Sequence, residues 1–146
     1  MRFWDSSAIV PLLVAEPSTA EAIAELERDP DMIVWWATEV ECVSALARLE
    51  REAHLPSPGM TVAIERLDAL IGAWQEVQPV DRIRQTAERL LRVHGLRAGD
   101  AFQLGAAISA AEDQPASLDI VTFDERLAMA AEREGFKVVL PSSGPA

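Results

Sequence analysis

Apolar positions along the chain switch repeatedly between short continuous runs and three- and four-residue spacing, the pattern of strands alternating with helices. Arg2-Phe3-Trp4 predicts a first strand, and about Ser7 to Ala15 a helix bent by Pro11, which falls just past its first turn and lacks an amide donor. Ser18-Thr19-Ala20-Glu21 has capping-box spacing and predicts a second helix to about Arg28. Met32 to Trp36 is an unbroken apolar run with polar flanks, as suits a strand covered on both faces. Trp35 and Trp36 are therefore expected in the core, on opposite faces of the sheet and not as base-stacking platforms.

Thr38 to Glu41 forms another capping box, opening a helix whose apolar stripe is Val40, Val43, Leu46, Ala47 and Leu49 and which ends before Pro56. A further helix is predicted over about Val62 to Trp74, then a poorly defined strand over Glu76 to Val80. Asp81 caps a predicted helix from Arg82 to Val93 that stops at Gly95, and Asp100 opens one of small residues, Ala101 to Ile108, suited to close backbone packing. Leu118 to Phe123 is the clearest strand. Asp124 starts a helix through Glu134 that Gly135 ends, and Phe136 to Leu140 is the last strand. No hairpin signal joins consecutive strands, so the expected fold is α/β, a three-layer α/β/α sandwich around a parallel sheet. Ligands in such folds bind at the carboxyl edge of the strands.

A length of 146 residues suits one domain, expected over residues 1–141, with residues 142–146 a short flexible tail. The opening Met-Arg-Phe-Trp-Asp lacks a basic start followed by a long apolar run, so neither a secretory signal nor a membrane span is expected, and the cytoplasm is the expected compartment. Cys42 is the single cysteine and reads as a small buried residue. Both histidines, His54 and His94, sit near helix ends, where they suit the macrodipole. No Cys/His set has zinc spacing, and no Gly-rich phosphate loop or nucleophile elbow is present.

Four acids stand out by position. Asp5 follows the first strand, Glu41 lies in the first turn after the Trp35-Trp36 strand, Asp100 opens a helix, and Asp124 follows the clearest later strand. Each has a plain explanation in helix capping, Asp100 and Gln103 included, since these too have box spacing. Neutral Ser, Thr or Asn would cap as well, and gathering like charges at one edge costs repulsion that a bound cation removes. Hard carboxylate oxygens suit Mg²⁺ or Mn²⁺, one ion or two, which could activate water for phosphodiester hydrolysis. Asp119 is a rival for the fourth position but begins its strand, and so belongs at the opposite edge.

The net charge of −11 is awkward for a nucleic-acid enzyme. Metal binding would offset part of it, and 12 of the 13 basic residues are arginine, the better phosphate fork.

The stretches Asp5-Ser6-Ser7-Ala8-Ile9-Val10, Glu41 with Ser44-Ala45-Leu46-Ala47-Arg48, Leu96 to Leu104 around Asp100, and Ile120 to Leu127 around Asp124 resemble, in order, the motifs of PIN domains. Within that family they are most similar to VapC-type toxins of VapBC toxin–antitoxin modules. The resemblance implies an endoribonuclease dependent on Mg²⁺ or Mn²⁺, with Asp5, Glu41, Asp100 and Asp124 as metal-holding catalytic acids. It also implies that Ser7 and Thr122 orient carboxylates or water, and that the chain forms a homodimer and binds a cognate antitoxin. Arg48 and Arg97 lie close in sequence to the acids and are candidates for contacting RNA phosphates, against the plainer reading of solvated or ion-paired arginines. Two alternatives are a PIN nuclease in RNA processing without a toxin role, and a non-catalytic binding or receiver-like module. A receiver needs a lysine after a late strand, and Lys137, the single lysine, falls within the last predicted strand.

Overall fold

The chain's computed structural model describes residues 1–139; the expected tail at 142–146 and the end of the last predicted strand at Leu140 lie outside them. Its five strands are β1 (Arg2–Trp4), β2 (Met32–Trp35), β3 (Gln75–Val77), β4 (Ile120–Val121) and β5 (Val138–Val139). They form one sheet in the order β3-β2-β1-β4-β5, every pairing parallel. The helices are α1 (Ser6–Leu13), α2 (Thr19–Arg28), α3 (Thr38–Arg51), α4 (Ser57–Ile71), α5 (Asp81–Val93), α6 (Ala98–Ala110) and α7 (Glu125–Arg133).

Alternation along the strands divides the core in two. Phe3, Trp35 and Ile120 point into one cluster with Ile83 and Leu90 of α5, Leu104 of α6 and Leu127 of α7. Their neighbours Trp4, Val34 and Val121 point into the other, with Ile9 of α1, Cys42 and Leu46 of α3 and Leu67 of α4. The result is the three-layer α/β/α sandwich the sequence predicts. Gly105 lets α6 approach α5, since a Cβ there would stand 3.3 Å from the Ile83 carbonyl oxygen. Gly135, at φ +103°, closes α7 in a conformation that favours glycine.

Several local expectations fail. Strand β2 ends at Trp35; Trp36 donates its amide to the Val77 carbonyl, yet its side chain is 50% exposed beyond the strand end and not in the core. Helix α4 begins at Ser57, five residues ahead of its expected start, because Pro58 sits in its first turn, where no amide donor is needed. Trp74 lies past the end of that helix and packs in the core. Neither predicted capping box forms: Ser18 has helical backbone and no capping bond, and α3 is preceded by Ala37 with Thr38 buried inside it. Thr19 instead ties down the preceding turn, accepting from the Glu16 amide and donating to the Val14 carbonyl. Asp81 is the first residue of α5 and not its cap, and β3 overlaps the expected Glu76 to Val80 but begins one residue earlier and stops at Val77.

Candidate active site

Asp5 leaves β1 at the carboxyl edge of the sheet as the N-cap of α1. Its Oδ1 accepts from the Ser7 amide at 2.7 Å, the Ser7 hydroxyl at 2.6 Å and the Ala8 amide at 3.3 Å, while Oδ2 accepts from the Thr122 hydroxyl at 2.6 Å. Capping is therefore real, but neutral residues would cap as well, and this carboxylate is 2% exposed. Burial pushes its pKa up to about 6, against the lowering by Ser7 and Thr122, and the charge of Asp124 raises it further.

Asp124 caps α7 with Oδ1, which accepts from the Leu127 amide at 3.0 Å, and its own amide donates to the Thr122 hydroxyl. Thr122 thus ties Asp5 and Asp124 together, and Ser7 adds a hydroxyl bridge to Thr122 at 3.3 Å and accepts from the Phe123 amide at 2.9 Å. Asp100 caps nothing: α6 starts at Ala98, which makes Asp100 its third residue and leaves its carboxylate free of capping duty. Its pKa is raised first by burial, then by the charges of Asp124 and Glu41, with Arg97 and Arg126 opposing.

Glu41, in the first turn of α3, is held by residues that sequence reasoning missed. Its Oε2 accepts from the Ser6 hydroxyl at 2.8 Å and from the Gln103 amide nitrogen at 3.1 Å. Gln103, 1% exposed, also donates to the Thr38 hydroxyl at 3.0 Å, which pins α6 to α3 beside the acid. The signal was present as the Asp100-to-Gln103 spacing, read there as a cap.

The four acids line one open cleft of about 630 Å³, together with Ser7, Arg48 and Arg97. A smaller hollow of about 370 Å³ adjoins it through Arg97, Asp100 and Asp124 and adds Glu125 and Arg126. Asp119 is not among them: it precedes β4, its carbonyl accepts from the Phe3 amide, and its carboxylate faces Arg2 at 4.0 Å. Cys42 is buried, its thiol pushed up to about 12 by burial and by the charges of Glu41 and Asp5, which disfavours the reactive thiolate and suits a packed residue.

Among the described residues, no three His, Cys, Asp or Glu side chains stand close enough to chelate one ion as a set. The residues nonetheless suit a hydrated divalent cation. The donors are hard oxygens, Mg²⁺ keeps several waters and takes one or two carboxylates directly, and burial, helped by the neighbouring acids, disfavours the ionised forms of Asp5 and Asp100, a cost that a bound cation would offset.

Solved structures with the same architecture include FitAcB from Neisseria gonorrhoeae, 20% identical over 97% of this chain and 98% of that one, with a TM-score of 0.67. VapC20 from Mycobacterium tuberculosis, a Sarcin-Ricin loop cleaving toxin, is 17% identical over 93% of this chain and 96% of that one, with a TM-score of 0.63. PAE2754 from Pyrobaculum aerophilum is 22% identical over 94% of this chain and 88% of that one, with a TM-score of 0.58. At these identities the likeness concerns the fold. No curated protein matches the chain by sequence. The PIN domain profile, however, matches residues 2–133, and with that span covered the chain belongs to the PIN domain family.

Proposed function

We propose that this protein is a Mg²⁺- or Mn²⁺-dependent endoribonuclease that acts as the toxin of a toxin–antitoxin pair. The observation that carries the reading is the meeting of Asp5, Glu41, Asp100 and Asp124, from four separate segments, on the wall of one cleft. A divalent ion, or two, held by these carboxylates would supply the Lewis acidity that activates water and offsets charge on the phosphoryl oxygens.

The chain's own residues have distinct tasks in this reading. Ser7 and Thr122 fix the Asp5 carboxylate, and Ser6 and Gln103 fix one oxygen of Glu41, leaving Oε1 for the cleft. Asp124 spends Oδ1 on capping and keeps Oδ2 for the site. Arg48 and Arg97, both exposed on the cleft wall, receive the RNA phosphates flanking the cut.

The toxin role rests on the PIN assignment and on the likeness to VapC20, a Sarcin-Ricin loop cleaving toxin. A cytoplasmic homodimer neutralised by an antitoxin follows from the same reading, and a net charge of −11 favours a basic antitoxin segment. The test is cleavage of RNA by purified protein with Mg²⁺ or Mn²⁺. Activity should vanish with chelator and fall at least about 100-fold in Asp5→Asn and Asp100→Asn; retained cleavage in both variants contradicts the mechanism. Growth arrest on expression, relieved by the product of an adjacent small gene, separates a toxin from an RNA-processing nuclease.

A further inference from the structure

The cleft does not end at its acids. The adjoining hollow shares Arg97, Asp100 and Asp124 with it and adds Glu125 and Arg126. Arg126 in turn forms one wall of a third hollow, of about 150 Å³, whose other walls include His94, Met129 and Arg133. Arg126, Met129 and Arg133 lie at i, i+3 and i+7 on α7, so all three share one face of that helix. Each of the three is exposed.

Arg2, Arg28, Arg82, Arg84 and Arg89 each have a carboxylate within 4.0 Å. Among the described residues Arg97, Arg126 and Arg133 have none, as is also true of Arg48, Arg51, Arg66 and Arg92, but the first three line the connected hollows beside the acids. Arg133 adjoins Glu134 in sequence, but both oxygens of that glutamate are taken, one by Arg89 and the other by His94, each at 2.8 Å. In a chain with 24 acidic and 13 basic residues, guanidinium groups left free along connected hollows fit an anionic ligand that arrives from outside.

We propose that Arg126 and Arg133 extend the substrate site along α7 as a phosphate-binding track, taking the backbone of single-stranded RNA that leaves the cleft past Arg97. This rests on the nuclease reading above and adds to it the path of the substrate. It also answers the charge conflict, because a local line of unpaired arginines can hold phosphates on a protein that is acidic overall. Arg97 and Arg126 could each be explained as a counter-charge to Asp100. Arg133 has no such explanation.

The test is binding of a short fluorescent single-stranded RNA, with Mg²⁺ in an Asp100→Asn background so that the probe is not cut. Arg126→Ala and Arg133→Ala should each weaken binding roughly five-fold for any base sequence and reduce the slope of log affinity against log salt by about 0.7. Arg84→Ala, on α5 and paired with Asp81, should change neither, and all variants should melt as the parent does. Unchanged affinity and slope in both α7 variants, while the wild-type protein still cuts RNA, overturns the track and leaves the nuclease reading standing. No RNA cleavage by the wild-type protein overturns both. Loss of self-association with unchanged RNA affinity assigns the surface to a protein partner and also overturns the proposal.

Discussion

Asp5 sets the sign of the protein's pH response. Its folded pKa of about 6 lies above its ordinary value of 3.8, so folding favours the protonated form. That contribution is fully present below the unfolded value and is lost as pH rises through about 6. At pH 8 and without metal, the ionised carboxylate costs the fold up to about 3 kcal/mol, from roughly two units of displacement. Asp5→Asn should therefore abolish cleavage yet raise the melting temperature in chelator at pH 8 by roughly 6 °C, with the gap about halved near pH 5 and closed only below about pH 4. Thermal unfolding across this range checks it, and an Asn variant less stable than wild type at both pH 8 and about pH 5 would refute it. Gln103→Leu removes both donated bonds, to Thr38 and Glu41, and should lower cleavage roughly ten-fold by freeing Glu41, seen as weaker Mn²⁺ binding. The four acids were legible because each follows a strand or lies in the first turn of a helix. Gln103 and Ser6 were not, since their role depends on α1, α3 and α6 meeting in space, which no local pattern encodes.

Helices and strands were legible as types more than as boundaries. The buried runs of β1, β2 and β4 and the apolar stripe of α3 follow from burial against two helix layers, which the period records. The helix starts at Ser18 and Thr38 were legible although the capping bonds expected there do not form; Thr38, for example, is buried against Gln103, and α6 begins two residues ahead of Asp100. The small residues of α6 were read correctly as a close-packing face, and Gly105 is where that face is tightest. Gly105→Val should push α6 from α5 and destabilise the fold by about 1–3 kcal/mol, measurable by denaturant unfolding. Because α6 also carries Asp100 and Gln103, the variant should lose cleavage even at temperatures where it stays folded.

At the scale of the molecule, the parallel sheet brings the ends of β1, β2 and β4 to one edge, and residues 5 to 124 along the chain share a cleft there. The likeness to VapC20 and FitAcB shows that other sequences build the same frame; the claim about this chain rests on the four acids that line its cleft. The most direct measurement is a calorimetric titration of Mn²⁺ at pH 8 into the wild-type protein and three variants. One or two ions should bind per chain, with affinity lost at least about 10-fold in Asp5→Asn and in Asp100→Asn and unchanged in Asp119→Asn at the opposite edge. Equal affinity in all four proteins, or loss in Asp119→Asn alone, would contradict the account.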